Sequence, residues 1–164
     1  MVLGVDFDNT LACYDSVFHE VALEIGMLPH TDLRLTKQQV KQQLHSADRH
    51  DDWTRLQGLV YGPEVGRACP FPGALAALEK AREQGWQLFI VSHKTRRPVI
   101  GEPHDLHQAA YGWLRDNGFG AVGLDGERVF FEETRSQKIA RLTALGCHTF
   151  VDDLPEVFCA RPIS

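Results

Sequence analysis

The sequence predicts an α/β protein built on a doubly wound, mainly parallel sheet. Three short apolar runs have the composition of buried strands, at residues 2–7, 86–91 and 148–151. Between them, apolar residues recur at helical spacing, so strands and helices alternate along the chain. This alternation is typical of a parallel sheet, because each parallel connection needs a crossover that lies on a face of the sheet.

The segment between the first two strands predicts a small helical domain inserted into the sheet domain. Residues 15–62 contain three helical patterns and no strong strand signal. A turn-forming string of Pro, Phe, Pro and Gly at residues 70–73 then marks the return of the chain to the sheet. We therefore expect an α/β core of residues 1–14 and 66–164 and a helical cap of residues 15–65.

Three more helical patterns follow the insertion. The last of them begins at Thr134, which has with Gln137 the spacing of a capping box. Residues 119–133 leave two alternatives open, a pair of strands or one strand and a loop.

Composition limits the classes of function. The 164 residues, 24% charged and 43% hydrophobic, indicate one globular domain with room for a small insertion. We expect neither a membrane span nor a signal peptide, and hence a cytoplasmic location, because long apolar runs and a basic amino-terminal segment are lacking. The net charge of -5 argues against a nucleic-acid partner. Four scattered cysteines without a Cys-x-x-Cys pair argue for reduced thiols rather than structural zinc.

Two carboxylates mark the end of the first predicted strand. Asp6 and Asp8 lie at its carboxyl end, which is where ligands bind in open α/β sheets. Their two-residue spacing points both side chains to one side, so that one can attack a substrate while the other transfers a proton. A simple turn through Asp8, Asn9 and Thr10 is the alternative, and the pair alone does not decide between the two.

Polar residues also follow the other two predicted strands. Ser92 comes after the second strand, Asp152 and Asp153 come after the last, and Lys138 lies in the helix that leads into the last strand. Because the carboxyl ends of parallel strands meet at one edge, four carboxylates should converge with one lysine and one hydroxyl. Such a group needs a cation, and oxygen ligands favour Mg²⁺. Singly, these residues could be a turn serine, a solvated lysine and a turn cap.

In this order the residues resemble the ordered motifs of the haloacid dehalogenase (HAD) superfamily. The matching stretches are Asp6–Thr10 (DFDNT), Ser92, Lys138 and Asp152–Glu156 (DDLPE), and together they span nearly the whole chain. The resemblance implies a Rossmann-like, HAD-like core, and it identifies the insertion of residues 15–65 with a type-one cap, which closes over the active site.

The resemblance also implies a catalytic role for each residue. Asp6 is expected to be the nucleophile that becomes an aspartyl phosphate, and Asp8 the general acid and base. Ser92 is expected to hydrogen-bond the transferring phosphoryl group, and Lys138 to offset negative charge. Because superfamily members that cleave carbon–halogen bonds lack the second aspartate, Asp8 favours a reaction on phosphate esters.

A magnesium site is part of the same implication. By resemblance, Mg²⁺ is bound by the carboxylate of Asp6, the backbone carbonyl of Asp8 and one acidic residue of the last stretch. We favour Asp153 for that residue, and expect Asp152 to pair with Lys138 or to bind the ion through water.

The expected activity is therefore that of a Mg²⁺-dependent phosphatase of a small phosphorylated metabolite, with neither a membrane nor a nucleic acid as partner. A phosphotransferase or 5′-nucleotidase of the same superfamily and a non-catalytic regulatory module with this fold are the alternatives. The candidate substrate-binding residues are Thr10, His93 and Lys94. The basic string that begins at His93 could bind a second anionic group or be an ordinary solvated loop. The chain ends soon after Asp153, which leaves open that another subunit of a homo-oligomer completes the sheet.

Overall fold

A four-stranded parallel sheet flanked by helices organises the structure, a computed structural model that describes residues 1–30 and 33–154. The architecture is mixed α/β and is compatible with a Rossmann-like fold, as the alternation of strands and helices predicts. The strands are β1 (Val2–Val5), β2 (Ala12–Cys13), β3 (Cys69–Pro70), β4 (Gln87–His93), β5 (Val129–Glu132) and β6 (Thr149–Val151). The helices are α1 (Asp15–Glu24), α2 (Lys37–Ser46), α3 (His50–Tyr61), α4 (Ala74–Glu83), α5 (Leu106–Asp116) and α6 (Arg135–Ala144).

The sheet has the strand order β5-β4-β1-β6, and all three pairings are parallel. In the centre of the sheet, Val5 pairs with Ile90 on one side and with Val151 on the other. The carboxyl ends of the four strands therefore lie along one edge. Strands β2 and β3 form a separate two-stranded sheet.

The predicted end of β4 was wrong by two residues. Ser92 and His93 belong to the strand, because they pair with Phe131 and Glu132 of β5. Of the two alternatives for residues 119–133, the structure has one strand and a loop. Two short 3₁₀ turns lead into β5, which begins only at residue 129.

The contacts within the chain define two compact units. The first unit consists of Met1–Ala12, Pro70–Thr95 and Leu114–Ser164. The second unit consists of Cys13–Cys69 and Arg96–Trp113. The predicted boundaries of the cap, residues 15–65, stay a prediction.

Helices α1 and α3 share an aromatic core within the second unit. Phe18 and Trp53 stack with ring centroids 5.0 Å apart, and Tyr61 packs edge-on against Phe18 at 5.6 Å. A capping box between Thr36 and Gln39 starts α2, because each side chain accepts a hydrogen bond from the other residue's backbone N–H. None of the helices in the described part of the chain is long and apolar enough to cross a membrane.

Helix α6 packs closely on the sheet and brings Lys138 to its carboxyl edge. The helix begins with the predicted capping box, in which the backbone N–H of Thr134 donates to Oε1 of Gln137 and the backbone N–H of Gln137 donates to Oγ1 of Thr134. Its side chain Leu142 lies against Gly4 of β1, where an added Cβ would come within 2.9 Å of Leu142. Glycine at this position therefore allows the helix to approach the strand.

Candidate active site

A buried lysine links two aspartates at the carboxyl edge of the sheet. Asp6 follows β1 directly, and its N–H donates to the carbonyl of Val151 in β6 at 2.9 Å. The ammonium of Lys138 donates to Oδ1 of Asp6 at 2.7 Å and to Oδ2 of Asp152 at 2.6 Å. The side chains of Lys138 and Asp6 are only 4% and 6% exposed. Of the two roles that the resemblance left open for Asp152, the structure contains the pairing with Lys138.

Three carboxylates at this edge form a cluster with the chemistry of a cation site. Asp6, Asp152 and Asp153 each offer an oxygen, and the three oxygens lie within 4.8 Å of one another. Asp6 is buried, Asp152 is half-buried and Asp153 is exposed, so one side of the cluster faces solvent. Oxygen donors alone suit hard divalent cations such as Mg²⁺ and Ca²⁺. The carboxylate of Asp8 is not part of the cluster, and the resemblance assigns a backbone carbonyl, not a side chain, to metal binding at that position.

Burial makes Asp6 an unusually basic carboxylate. Loss of hydration raises its pKa from 3.8 to about 7, although the nearby Lys138 acts in the opposite direction. The negative charges of Asp8 and Asp152 raise this pKa further. Without another positive charge, Asp6 therefore holds a proton over much of the weakly acidic range.

Asp8 contacts a second buried lysine. The ammonium of Lys94 lies 3.0 Å from Oδ1 and 2.9 Å from Oδ2 of Asp8, and the Lys94 side chain is 3% exposed. The backbone N–H of Lys94 donates to the carbonyl of Glu132, which continues the pairing of β4 with β5. The same ammonium lies 5.4 Å from the centre of the Phe7 ring.

This Lys94–Asp8 pair was missed by the sequence analysis, which assigned Lys94 to substrate binding. A signal for it exists, because β1 and β4 are neighbours and the residues that follow them carry opposite charges. The register that decides the contact cannot be read from either strand alone. Substrate binding by Lys94 stays a prediction.

The segment after β1 is a turn as well as a site. The N–H groups of Leu11 and Ala12 both donate to the carbonyl of Phe7, at 3.0 and 3.1 Å. Asn9 has a φ of 58°, a left-handed conformation that asparagine tolerates better than most residues. The turn alternative and the convergence of Asp6 with the other aspartates are therefore both present.

Buried hydroxyls belong to Ser92, the predicted phosphoryl ligand, and to Thr10, a candidate substrate-binding residue. In the described part of the chain, neither Oγ of Ser92 nor Oγ1 of Thr10 has a hydrogen-bond partner. Buried polar atoms are rarely left without a partner, so these hydroxyls have unused capacity to bind a ligand. Another candidate substrate-binding residue, His93, is exposed, and its Nε2 lies 3.1 Å from the carbonyl oxygen of Glu133.

The basic string that begins at His93 includes Arg96 and Arg97, and both have partners within the second unit. Arg96 forms an ion pair with Asp105 at 3.1 Å, and Arg97 donates to the carbonyl of Pro103. Asp105 also accepts a hydrogen bond from the backbone N–H of Gln108 at the start of α5. This backbone bond, together with Arg96, lowers the pKa of Asp105.

Comparisons with known proteins give no independent support for a family. A search against models of protein families finds no match for the chain, and a search of curated proteins finds none either. The relation to the HAD superfamily is therefore a proposal that rests on the residues. Two members of the last matching stretch, Pro155 and Glu156, lie outside the described residues, as does Cys159.

Because the pKa of Asp6 is raised, ionisation of Asp6 should lower the stability of the folded protein as the pH rises. A folded-state pKa of about 7, above the ordinary 3.8, means that the folded chain holds the proton more tightly. The contribution of protonated Asp6 to the stability of the fold is fully present below pH 4 and is lost as the pH rises to about 7. In EDTA, the stability of Asp6→Asn relative to the unmodified protein should therefore rise by roughly 2–4 kcal/mol between pH 4 and pH 8.

Urea unfolding at each pH measures this difference. Asp48→Asn is the control, because the Asp48 side chain is 99% exposed and asparagine suits its φ of 58°. A relative stability of Asp6→Asn that stays flat with pH, as expected for the control, would contradict the assignment of a raised pKa to Asp6.

Removing the Lys94 ammonium should lower the free energy of unfolding, because the charge on Asp8 then loses its partner. Lys94→Met deletes the ammonium that contacts both oxygens of a carboxylate that is only 18% exposed. We expect a loss of about 2–3 kcal/mol in the free energy of unfolding, and expect Asp8→Asn in the same chain to recover part of it. A double-mutant cycle measured by urea unfolding tests this, and strictly additive effects of the two substitutions would count against a coupled pair.

Proposed function

We propose that this protein is a Mg²⁺-dependent phosphatase of the HAD superfamily that acts on a small phosphorylated metabolite. The observation that carries the proposal is the bridge from Lys138 to Asp6 and Asp152, with Asp153 beside them. A nucleophilic carboxylate, a fixed cation and further carboxylates for a metal then share one edge of the sheet. This is the set of groups that phosphoryl transfer requires, since that reaction depends mainly on positioning and charge neutralisation.

The donor set fits a magnesium ion. Asp6 and Asp153 can each give a carboxylate oxygen, and Asp8 can give its backbone carbonyl. Asp152 is held by Lys138, which leaves it to orient the lysine or to reach the ion through water. When bound, Mg²⁺ supplies positive charge that offsets the negative charge of the phosphoryl oxygens.

Asp6 and Asp8 divide the chemistry between them. A carboxylate oxygen of Asp6 attacks phosphorus, the ester P–O bond breaks, and the leaving oxygen takes a proton from the carboxylic acid of Asp8. Asp8, now ionised, accepts a proton from water as that water attacks phosphorus. The bond between Asp6 and phosphorus then breaks and releases inorganic phosphate.

The remaining residues hold the reacting groups in place. Lys138 fixes one oxygen of Asp6 by a hydrogen bond of 2.7 Å, and so leaves the other oxygen for attack or metal binding. The buried hydroxyls of Ser92 and Thr10 lack partners and can donate to phosphoryl oxygens. Lys94 contacts both oxygens of Asp8, so at least one of these contacts must give way before Asp8 transfers a proton.

The nucleophile assignment predicts loss of activity in Asp6→Asn. Hydrolysis of p-nitrophenyl phosphate in Mg²⁺ should fall at least about a thousandfold, because an amide cannot form the aspartyl phosphate. Asp48→Asn, at an exposed position, should keep the activity of the unmodified protein. If the unmodified protein has no phosphatase activity on a broad panel of phosphate esters, a non-catalytic module becomes the better explanation. Activity that survives in Asp6→Asn would refute the nucleophile.

The two remaining acidic roles can be separated by the metal requirement. Asp153→Asn should raise the Mg²⁺ concentration for half-maximal activity about 10- to 100-fold, since it removes a charged ligand. Asp8→Asn should lower the maximal rate about a hundredfold or more with little change in that concentration, because its metal contact is a backbone carbonyl. EDTA should abolish the activity of the unmodified protein. Opposite results for the two variants would reverse these roles.

A further inference from the structure

Two cysteines lie on the paired strands β2 and β3, and the proposed function uses neither of them. Cys13 is the last residue of β2 and is half-buried, and Cys69 is the first residue of β3 and is exposed. Both carry free thiols. Their positions suit a reaction between them.

The register of the two strands sets these cysteines opposite each other. The N–H of Phe71, directly after β3, donates to the carbonyl of Leu11, directly before β2, at 2.9 Å. A bond between the residue before one strand and the residue after the other means that the strands run antiparallel. In a pair of two-residue strands with this direction, the last residue of β2 faces the first residue of β3. Cys13 is therefore the cross-strand partner of Cys69.

The Cα atoms at such a pair already lie at a separation that a disulfide allows. Directly opposite residues of antiparallel strands have Cα atoms about 4.5–5.5 Å apart, and their side chains project from the same face. Disulfides join residues whose Cα atoms are about 4.4–6.8 Å apart. The Cβ atoms of directly opposite residues are about 4.5–5.5 Å apart, whereas a disulfide holds them about 3.5–4.5 Å apart. Formation of the bond therefore needs rotation of both side chains and a movement of the two short strands toward each other by about 1 Å.

We propose that Cys13 and Cys69 form a redox modification site that takes a low-molecular-weight disulfide, such as oxidised glutathione, as its reactant. The product is a reversible Cys13–Cys69 disulfide. The inference rests on the register of β2 and β3 and on the exposure of Cys69, and it does not depend on the proposed phosphatase activity.

The reaction takes place in two exchange steps. The thiolate of the exposed Cys69 attacks one sulfur of oxidised glutathione, forms a mixed disulfide and releases one glutathione thiolate. The thiolate of Cys13 then attacks the Cys69 sulfur, which forms the protein disulfide and releases the second glutathione thiolate. The two protons lost by the cysteines are taken up by the two glutathione thiolates. Two protein thiols are oxidised and one glutathione disulfide is reduced.

The disulfide closes a loop that contains α1, α2 and α3. Residues 13–69 form one continuous segment of the second unit, and the crosslink joins its two ends. A crosslink across a long loop restricts the unfolded chain more than the folded one. Oxidation is therefore expected to make this helical segment more resistant to unfolding.

The experiment incubates the full chain with mixtures of oxidised and reduced glutathione, blocks free thiols with N-ethylmaleimide and maps the peptides by mass spectrometry. We expect a peptide pair linked through Cys13 and Cys69 as the main product, and its loss after dithiothreitol. Cys147 is the internal control, because it is buried and should stay unmodified in the folded protein.

Serine variants separate the two steps. In Cys13→Ser, Cys69 should stop at the mixed disulfide with glutathione, because the second thiol is missing. In Cys69→Ser, Cys13 should remain largely a free thiol. The proposal is overturned if the unmodified protein accumulates the mixed disulfide on Cys69 with Cys13 still reduced. It is equally overturned if neither thiol reacts, or if either one pairs with Cys159 instead.

Discussion

One buried ammonium group holds the carboxyl edge of the sheet together. Lys138 contacts Asp6 and Asp152, which follow the neighbouring strands β1 and β6. Without it, two poorly hydrated carboxylates would lie side by side, and an unpaired buried charge is among the most destabilising features of a folded protein. The lysine reaches this position because α6 packs against Gly4 of β1 with no room for a side chain between them. The pairing of β1 with β6 places the two aspartates, and the close fit of α6 on β1 places the lysine between them.

The fold class could be predicted from the sequence because strands covered on both faces leave continuous apolar runs. The start of α6 was equally readable, since the capping box of Thr134 and Gln137 is a local signal. The end of β4 was not readable, because Ser92 and His93 are polar and stay in the strand only through pairing with β5. Strand β5 itself is four residues long and follows two 3₁₀ turns, so no periodic pattern distinguished it from a loop.

In the candidate site, too, some contacts could be predicted from the sequence and others could not. The convergence of Asp6 with Lys138 and Asp152 follows from topology, since each residue ends or leads into a strand of one parallel sheet. The contact between Asp8 and Lys94 depends on register as well. Val5 pairs with Ile90, and a shift of one residue in that pairing would turn the neighbouring side chains to the other face. The local sequence indicates the strands but not their alignment, so the contact between Lys94 and Asp8 could not be predicted.

The two lysines have a consequence for the order in which ligands can bind. When ionised, the four aspartates that follow β1 and β6 carry four negative charges, and the two ammonium groups cancel half of them. The formal remainder equals the charge of one divalent cation with opposite sign. With all four aspartates ionised, a monovalent cation would leave this edge of the sheet anionic and repulsive to the phosphate ester of the proposed reaction, whereas a divalent cation would make it neutral. In the proposed phosphatase, a divalent ion would therefore have to bind at this edge before the anionic substrate.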